Sequence, residues 1–132
     1  MGLIQSYKVG HSPDPDDAFM FHAMTTGAID TGGRKYEHVL LDIETLNKHA
    51  TNGDYEVSAV SIHSFPEISD KYHLMNCGAS MGEGYGPMII SSREMELEEA
   101  KNLVFAIPGV GTSAYLALRL ALGDVKFEVV PF

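Results

Sequence analysis

A chain of 132 residues, 45% hydrophobic and 20% charged, fits one ordinary globular domain with enough apolar material for a core. Its formal net charge of −9, from 18 acidic against 9 basic residues, argues against a nucleic-acid or anionic-membrane surface, both of which call for a basic face. A small anionic ligand stays compatible, because a local site can oppose the global sign. No apolar run approaches the ~20 residues of a membrane span, the N-terminus lacks a signal-type apolar stretch, and the single Cys77 has no internal disulfide partner. The expected setting is reducing and cytoplasmic.

In chain order, short β-rich runs fall at Tyr7–Gly10, Tyr36–Leu41, Val57–Val60, His73–Cys77, Met88–Ser91, Leu103–Ile107 and Phe127–Val130. Helical patterns lie between several of them. Asp16–Thr26 is stopped by Gly27. Ile43–Thr51 opens on Asp42 as N-cap and closes on Asn52-Gly53. A short helix covers about Ile62–Ser69, and Ser113–Leu122 is stopped by Gly123. The polar Glu94–Lys101 stretch reads as a solvated turn of helix. Gly78–Gly86 carries four glycines in nine residues and reads as a loop or hinge. This alternation predicts an α/β domain, a mostly parallel sheet with helices on both faces. The apolar Phe127–Phe132 end reads as a buried strand, and the expectation is a chain truncated at Phe132 with a second part beyond it. Apolar surface left uncovered by such a cut would favour self-association, for instance through the Phe127–Val130 strand.

In parallel sheets ligands settle where strands end and helices begin. Three such junctions carry chemistry. The first, His11-Ser12-Pro13-Asp14-Pro15-Asp16-Asp17, is stiffened by two prolines. Asp16 and Asp17 suit capping of a helix and its dipole, whereas Ser12 and Asp14 are candidates for ligand contact. The acidic run lacks the ladder and terminal glutamate of a calcium loop, so no metal is expected. At the second junction, Ser61 follows a strand and opens a helix, where its hydroxyl can cap or face a ligand; His63 reads either as a structural histidine or as a base. The third, Pro108-Gly109-Val110-Gly111-Thr112-Ser113-Ala114, offers backbone N–H groups and two hydroxyls, Thr112 and Ser113, at an anion-friendly helix start. It lacks the lysine of a P-loop and the third glycine of a dinucleotide fingerprint. Cys77 reads as a packed core thiol.

With those junctions in view, the sequence resembles the family of 1,4-dihydroxy-6-naphthoate synthase and its sister chorismate dehydratase, which serve the futalosine route to menaquinone. The best-matching stretches are Ser12-Pro13-Asp14-Pro15-Asp16-Asp17-Ala18-Phe19, Asp42-Ile43-Glu44-Thr45-Leu46-Asn47, Gly82-Glu83-Gly84-Tyr85-Gly86-Pro87, and Pro108-Gly109 through Thr112-Ser113-Ala114-Tyr115. The family usually reads Ser-Pro-Cys-Pro-Asn-Asp-Thr-Phe at the first stretch, so Asp14, Asp16 and Ala18 are departures that add two negative charges. The resemblance implies one lobe of a type 2 periplasmic-binding-protein-like fold. Residues 1–132 would form the N-terminal lobe, with the hinge and the start of the second lobe from about Pro87. It implies a lyase of cyclic futalosine that needs no cofactor, with its catalytic base in the half beyond this chain. The chain alone would then be inactive. Substrate contacts would come from Ser12, Asp14, Ser61, Thr112 and Ser113. A non-catalytic solute-binding protein of the same fold and chorismate dehydratase are the alternatives.

Overall fold

The computed structural model describes residues 5–131 and opens on β1 (Ser6–His11), followed by α1 (Pro15–Thr25) and β2 (Lys35–Leu40). Helix α2 (Ile43–Asn52) leads into the short β3 (Val57–Ser58), a 3₁₀ turn (Ile62–Ser64) and α3 (Phe65–Ile68). After a long stretch without helix or strand come α4 (Leu97–Ala100), β4 (Val104–Ile107), α5 (Ser113–Leu122) and β5 (Lys126–Val129). The strands divide between two sheets rather than one. The first has the order β2-β1-β3, the second pairs β4 with β5, and every pairing is parallel.

Helices cover both faces of the first sheet, and consecutive residues of β1 show it. Alternating side chains of a strand point to opposite faces. His11 stacks on Phe21 of α1 at 4.3 Å between ring centroids. On the other face, a Cβ at Gly10 would lie 2.8 Å from Leu46 of α2 and from Tyr55. Gly10 is therefore the residue that lets α2 approach the sheet. The core is small: Val9, Leu46 and Ile68 are its largest fully buried side chains, with Ala50 beside them and Ile107 and Leu118 in the second half. In that half, Tyr115 of α5 packs on Phe127 of β5 at 5.0 Å.

Local chemistry explains the helix ends. Asp42 accepts from the Thr45 backbone N–H at 2.9 Å and from its hydroxyl at 2.6 Å, and Gly53 closes α2 with φ 77°, a left-handed conformation that glycine adopts without penalty. Helix α1 differs from expectation by starting one residue earlier. Pro15 takes the first helical position, which suits its fixed φ and missing N–H, and it leaves the preceding Asp14, not Asp16, at the N-cap in an extended conformation (φ −64°, ψ 154°).

Three further expectations are corrected. His73–Cys77 and Met88–Ser91 are not strands. β propensity makes a strand only where a neighbour completes the ladder, and here the apolar side chains stand exposed, Met88 at 84% and Ile90 at 88%. Cys77 is exposed, not packed. The last strand is exposed along its whole length instead of buried, because among the described residues it is paired with β4 alone; Phe132 lies outside the described residues.

Candidate functional site

Because β1 and β3 run parallel with Gly10 opposite Ser58, the loops that leave them emerge at the same edge of the sheet. Backbone bonds tie this edge together: Ala59 N–H donates to Gly10 O at 2.8 Å and Leu41 N–H to His11 O at 3.2 Å. Ser12 and Ser61 thus share one edge. The third junction joins them through side chains. Ser64 Oγ donates to Gly111 O at 2.8 Å, and the His63 Nδ1–H donates to Thr112 O at 3.1 Å. His63 is in this sense a structural donor.

At the first junction the loop is folded on itself. Ser12 is buried, its N–H donates to Asp17 Oδ2 at 2.7 Å, and its Oγ accepts from Asp14 N–H at 3.0 Å. The Ser12 hydroxyl proton has no acceptor among the described residues. Burial raises the Asp17 carboxyl above the ordinary carboxylate range, and the Ser12 N–H pulls it the other way. Asp14 is exposed. The nearby Ser80 side chain holds the Asp16 carboxyl below the usual carboxylate range.

Beneath this loop lies a histidine pair, His11 buried and His38 half-buried. His11 Nδ1–H donates to Ser12 O at 3.0 Å, since a carbonyl can only accept. His11 Nε2 is then the acceptor for His38 Nδ1–H at 3.0 Å. That leaves His38 Nε2 buried and without a partner among the described residues. Burial, and secondarily the neighbouring His11, lowers the His38 pKa.

The second and third junctions are held by polar side chains of α2. Asn47 clasps Ser61 twice: its Oδ1 accepts from Ser61 N–H at 2.8 Å and its Nδ2 donates to Ser61 Oγ at 3.2 Å. Ser61 occupies the N-cap position of the 3₁₀ turn but makes no capping bond with its side chain. Glu44 Oε2 accepts from Gly111 N–H at 3.1 Å. The buried Thr112 hydroxyl donates to Gly109 O at 2.7 Å and accepts from Tyr115 N–H at 3.2 Å, the N-cap bond of α5. The N–H groups of Ser113 and Ala114 and the Ser113 hydroxyl carry no protein partner among the described residues. Donors without a protein partner among the described residues thus include the Ser12, Ser61 and Ser113 hydroxyl protons and the Ser113 and Ala114 N–H groups, while the Thr112 hydroxyl is committed to the frame and Ser61 is held in place by Asn47. Two surface depressions lie elsewhere, one beside Tyr72 and one beside Arg34. Among the described residues no helix is long and apolar enough to cross a membrane.

Residues 7–131 match the family model described as menaquinone biosynthesis. The chain belongs to this menaquinone-biosynthesis family. It is 33% identical over 127 residues to a 1,4-dihydroxy-6-naphthoate synthase of Thermus thermophilus, covering 96% of this chain and 46% of that protein. A 1,4-dihydroxy-6-naphthoate synthase of Streptomyces coelicolor is 31% identical over 131 residues, with 95% and 45% covered. A crystal structure of an Archaeoglobus fulgidus protein superposes with a TM-score of 0.89 at 46% identity, over 96% of this chain and 47% of that one. These matches agree with the resemblance carried by the Ser12–Phe19 and Asp42–Asn47 stretches, and with the α/β fold. The chain spans slightly less than half the length of the curated relatives it matches.

For this member of the family, four residues that frame the edge have no role assigned from sequence: His11, His38, Glu44 and Asn47. Glu44 and Asn47 are three apart and share a helix face with Leu46 and Ala50, and acids and amides on an apolar face signal a buried polar clasp. The signal is masked in sequence because Glu44 and Lys48 form an i, i+4 pair that reads as solvated surface; the two lie 4.0 Å apart.

Proposed function

We propose that this chain forms one lobe of a cytoplasmic 1,4-dihydroxy-6-naphthoate synthase, which cleaves a cyclic futalosine derivative and releases the naphthoate. The observation that carries this reading is the edge where three strand–helix junctions gather, with the Ser12 hydroxyl proton, the Ser113 hydroxyl and the Ser113 and Ala114 N–H groups left without a partner among the described residues. Such donors suit the oxygen atoms of a small acid or sugar-bearing substrate, and the dipole of α5 adds ~0.3–1 kcal/mol for an anion. Family membership over residues 7–131 supports the pathway, and the names of the Thermus and Streptomyces relatives support the reaction.

In this reading Ser12, Ser113 and the α5 start touch substrate. Asp14 sits at the rim, and Ser61 and Thr112 set the shape of the wall. The base that removes a proton comes from the remaining half of the family's length, together with the opposing wall, and closure of two lobes excludes water. The segment from about Pro87 onward is the return of the chain toward the second lobe. Neither a metal nor a redox cofactor enters the scheme. The test is turnover of cyclic futalosine by the protein that carries this chain, with the naphthoate identified by chromatography. Release of 1,4-dihydroxy-6-naphthoate is the expected result. Dehydration of chorismate instead, or binding without turnover, would overturn it.

A further inference from the structure

Glu44 and Asn47 belong to one turn of α2, and each holds a different junction. Asn47 accepts from Ser61 N–H and donates to Ser61 Oγ; Glu44 accepts from Gly111 N–H. The two side chains are buried, at 6% and 4% exposure, and a buried polar group is retained at a cost unless its bonds are made. The loop is shaped around them. A Cβ at Gly109 would overlap Cγ, Cδ and Oε2 of Glu44, and one at Gly111 would lie 2.7 Å from Ser64 Oγ and 3.0 Å from Glu44 Oε2. Neither glycine has a positive φ, so the space occupied by Glu44 at Gly109, and by Ser64 with Glu44 at Gly111, excludes a side chain there, not the backbone conformation.

The geometry points to Glu44 and Asn47 as positioning residues that lock the second and third junctions in register, so that the donors of the crevice are presented as one set. By taking Gly111 N–H, Glu44 turns the loop so that the next unpaired N–H groups are those of Ser113 and Ala114 at the start of α5. Ser64 holds the following peptide of the same residue by donating to Gly111 O. By accepting from Ser61 N–H and donating to its Oγ, Asn47 holds the 3₁₀ turn that carries Ser64 and His63 against that loop. One helical turn thereby fixes the spacing between two walls of the site without either residue having to touch substrate. This inference rests on the proposed reading of the edge as a ligand crevice.

The test titrates the chain with 1,4-dihydroxy-6-naphthoate below the melting temperature of each variant, and follows amide hydrogen exchange at Gly111 and Ser61. Glu44→Ala and Asn47→Ala are each expected to weaken binding about tenfold, equivalent to about 1.4 kcal/mol, and to speed exchange at Gly111 and Ser61 respectively. Glu44→Gln keeps an acceptor oxygen for Gly111 and is expected to restore affinity to within about twofold of the parent. Should Glu44→Ala not fold, Ser64→Ala removes the other hold on Gly111 and carries the same expectation. Folded Glu44→Ala and Asn47→Ala variants with parental affinity would overturn the inference, because a merely structural clasp lowers stability without changing the binding of the folded fraction. A parent that does not bind the naphthoate overturns the functional reading alone, and unchanged exchange at Gly111 in Glu44→Ala would then overturn the clasp separately.

Discussion

Replacing Gly109 by alanine adds a single methyl group, yet the structure leaves no room for it. The new Cβ would fall inside the 3.0 Å floor for real Cβ contacts with three atoms of Glu44. Two escapes exist. Glu44 can swing to solvent, which deprives Gly111 N–H of its acceptor at a cost of about 1.5–3 kcal/mol for a hydrogen bond to an acidic group. Alternatively the loop can lift from α2, which sacrifices the Gly111–Glu44, Ser64–Gly111 and His63–Thr112 bonds together and costs more. The cheaper escape sets the expected destabilisation at about 1.5–3 kcal/mol, a fall in melting temperature of roughly 5–12 °C. Urea denaturation followed by circular dichroism measures it through the midpoint at constant slope. The decisive arm is the double variant. In a Glu44→Ala background the three overlapping atoms are gone, so Gly109→Ala becomes neutral or even stabilising by about 0.4–1 kcal/mol, as alanine restricts the unfolded chain. Additive effects of the two substitutions within about 0.5 kcal/mol would refute the account of why glycine stands at this position.

Asp14→Asn is expected to tighten carboxylate binding by no more than about fivefold, the range of exposed charge interactions, with the gain shrinking as salt rises; calorimetry at two salt concentrations in which parent and variant bind equally would remove Asp14 from the rim. His38 has its pKa lowered from 6.5, so the unfolded chain takes up a proton before the folded one does. Stability contributed by neutral His38 is fully present above 6.5 and is lost as pH falls through the lowered value. His38→Gln should flatten the loss of stability between pH 7 and 5, and an unchanged slope in urea titrations at those pH values would contradict the burial of His38 Nε2. Asp42→Ala removes two hydrogen bonds at the start of α2 and is expected to cost about 1 kcal/mol in thermal melts. The exposed Lys126–Val129 strand and the apolar Met88–Ile90 surface should make the chain self-associate, and a single monomeric species by sedimentation at high concentration would count against this.

Much of this molecule is written locally. Ser113–Leu122 forms the helix its spacing predicts, bounded by Thr112 and Gly123, and Asp42 caps α2 as its position before the apolar pattern indicates. Turn and capping chemistry acts within four residues, so the chain alone determines it. The same locality placed Ser12, Ser61 and Thr112 at strand–helix junctions, because each follows an apolar run and opens a helix. What tertiary structure alone decided is which polar groups these residues still offer. Thr112 is spent on its own cap and on Gly109, Ser61 is held by Asn47 from 14 residues away, and Gly111 is held by Glu44 from 67 residues away. Pairings across such distances depend on how α2 packs on the sheet, at the point where Gly10 lets Leu46 in, and no local pattern encodes them. The failed strands at His73–Cys77 and Met88–Ser91 have the same cause: β-rich composition is a property of the segment, but a strand exists only when another strand arrives to complete its hydrogen bonds.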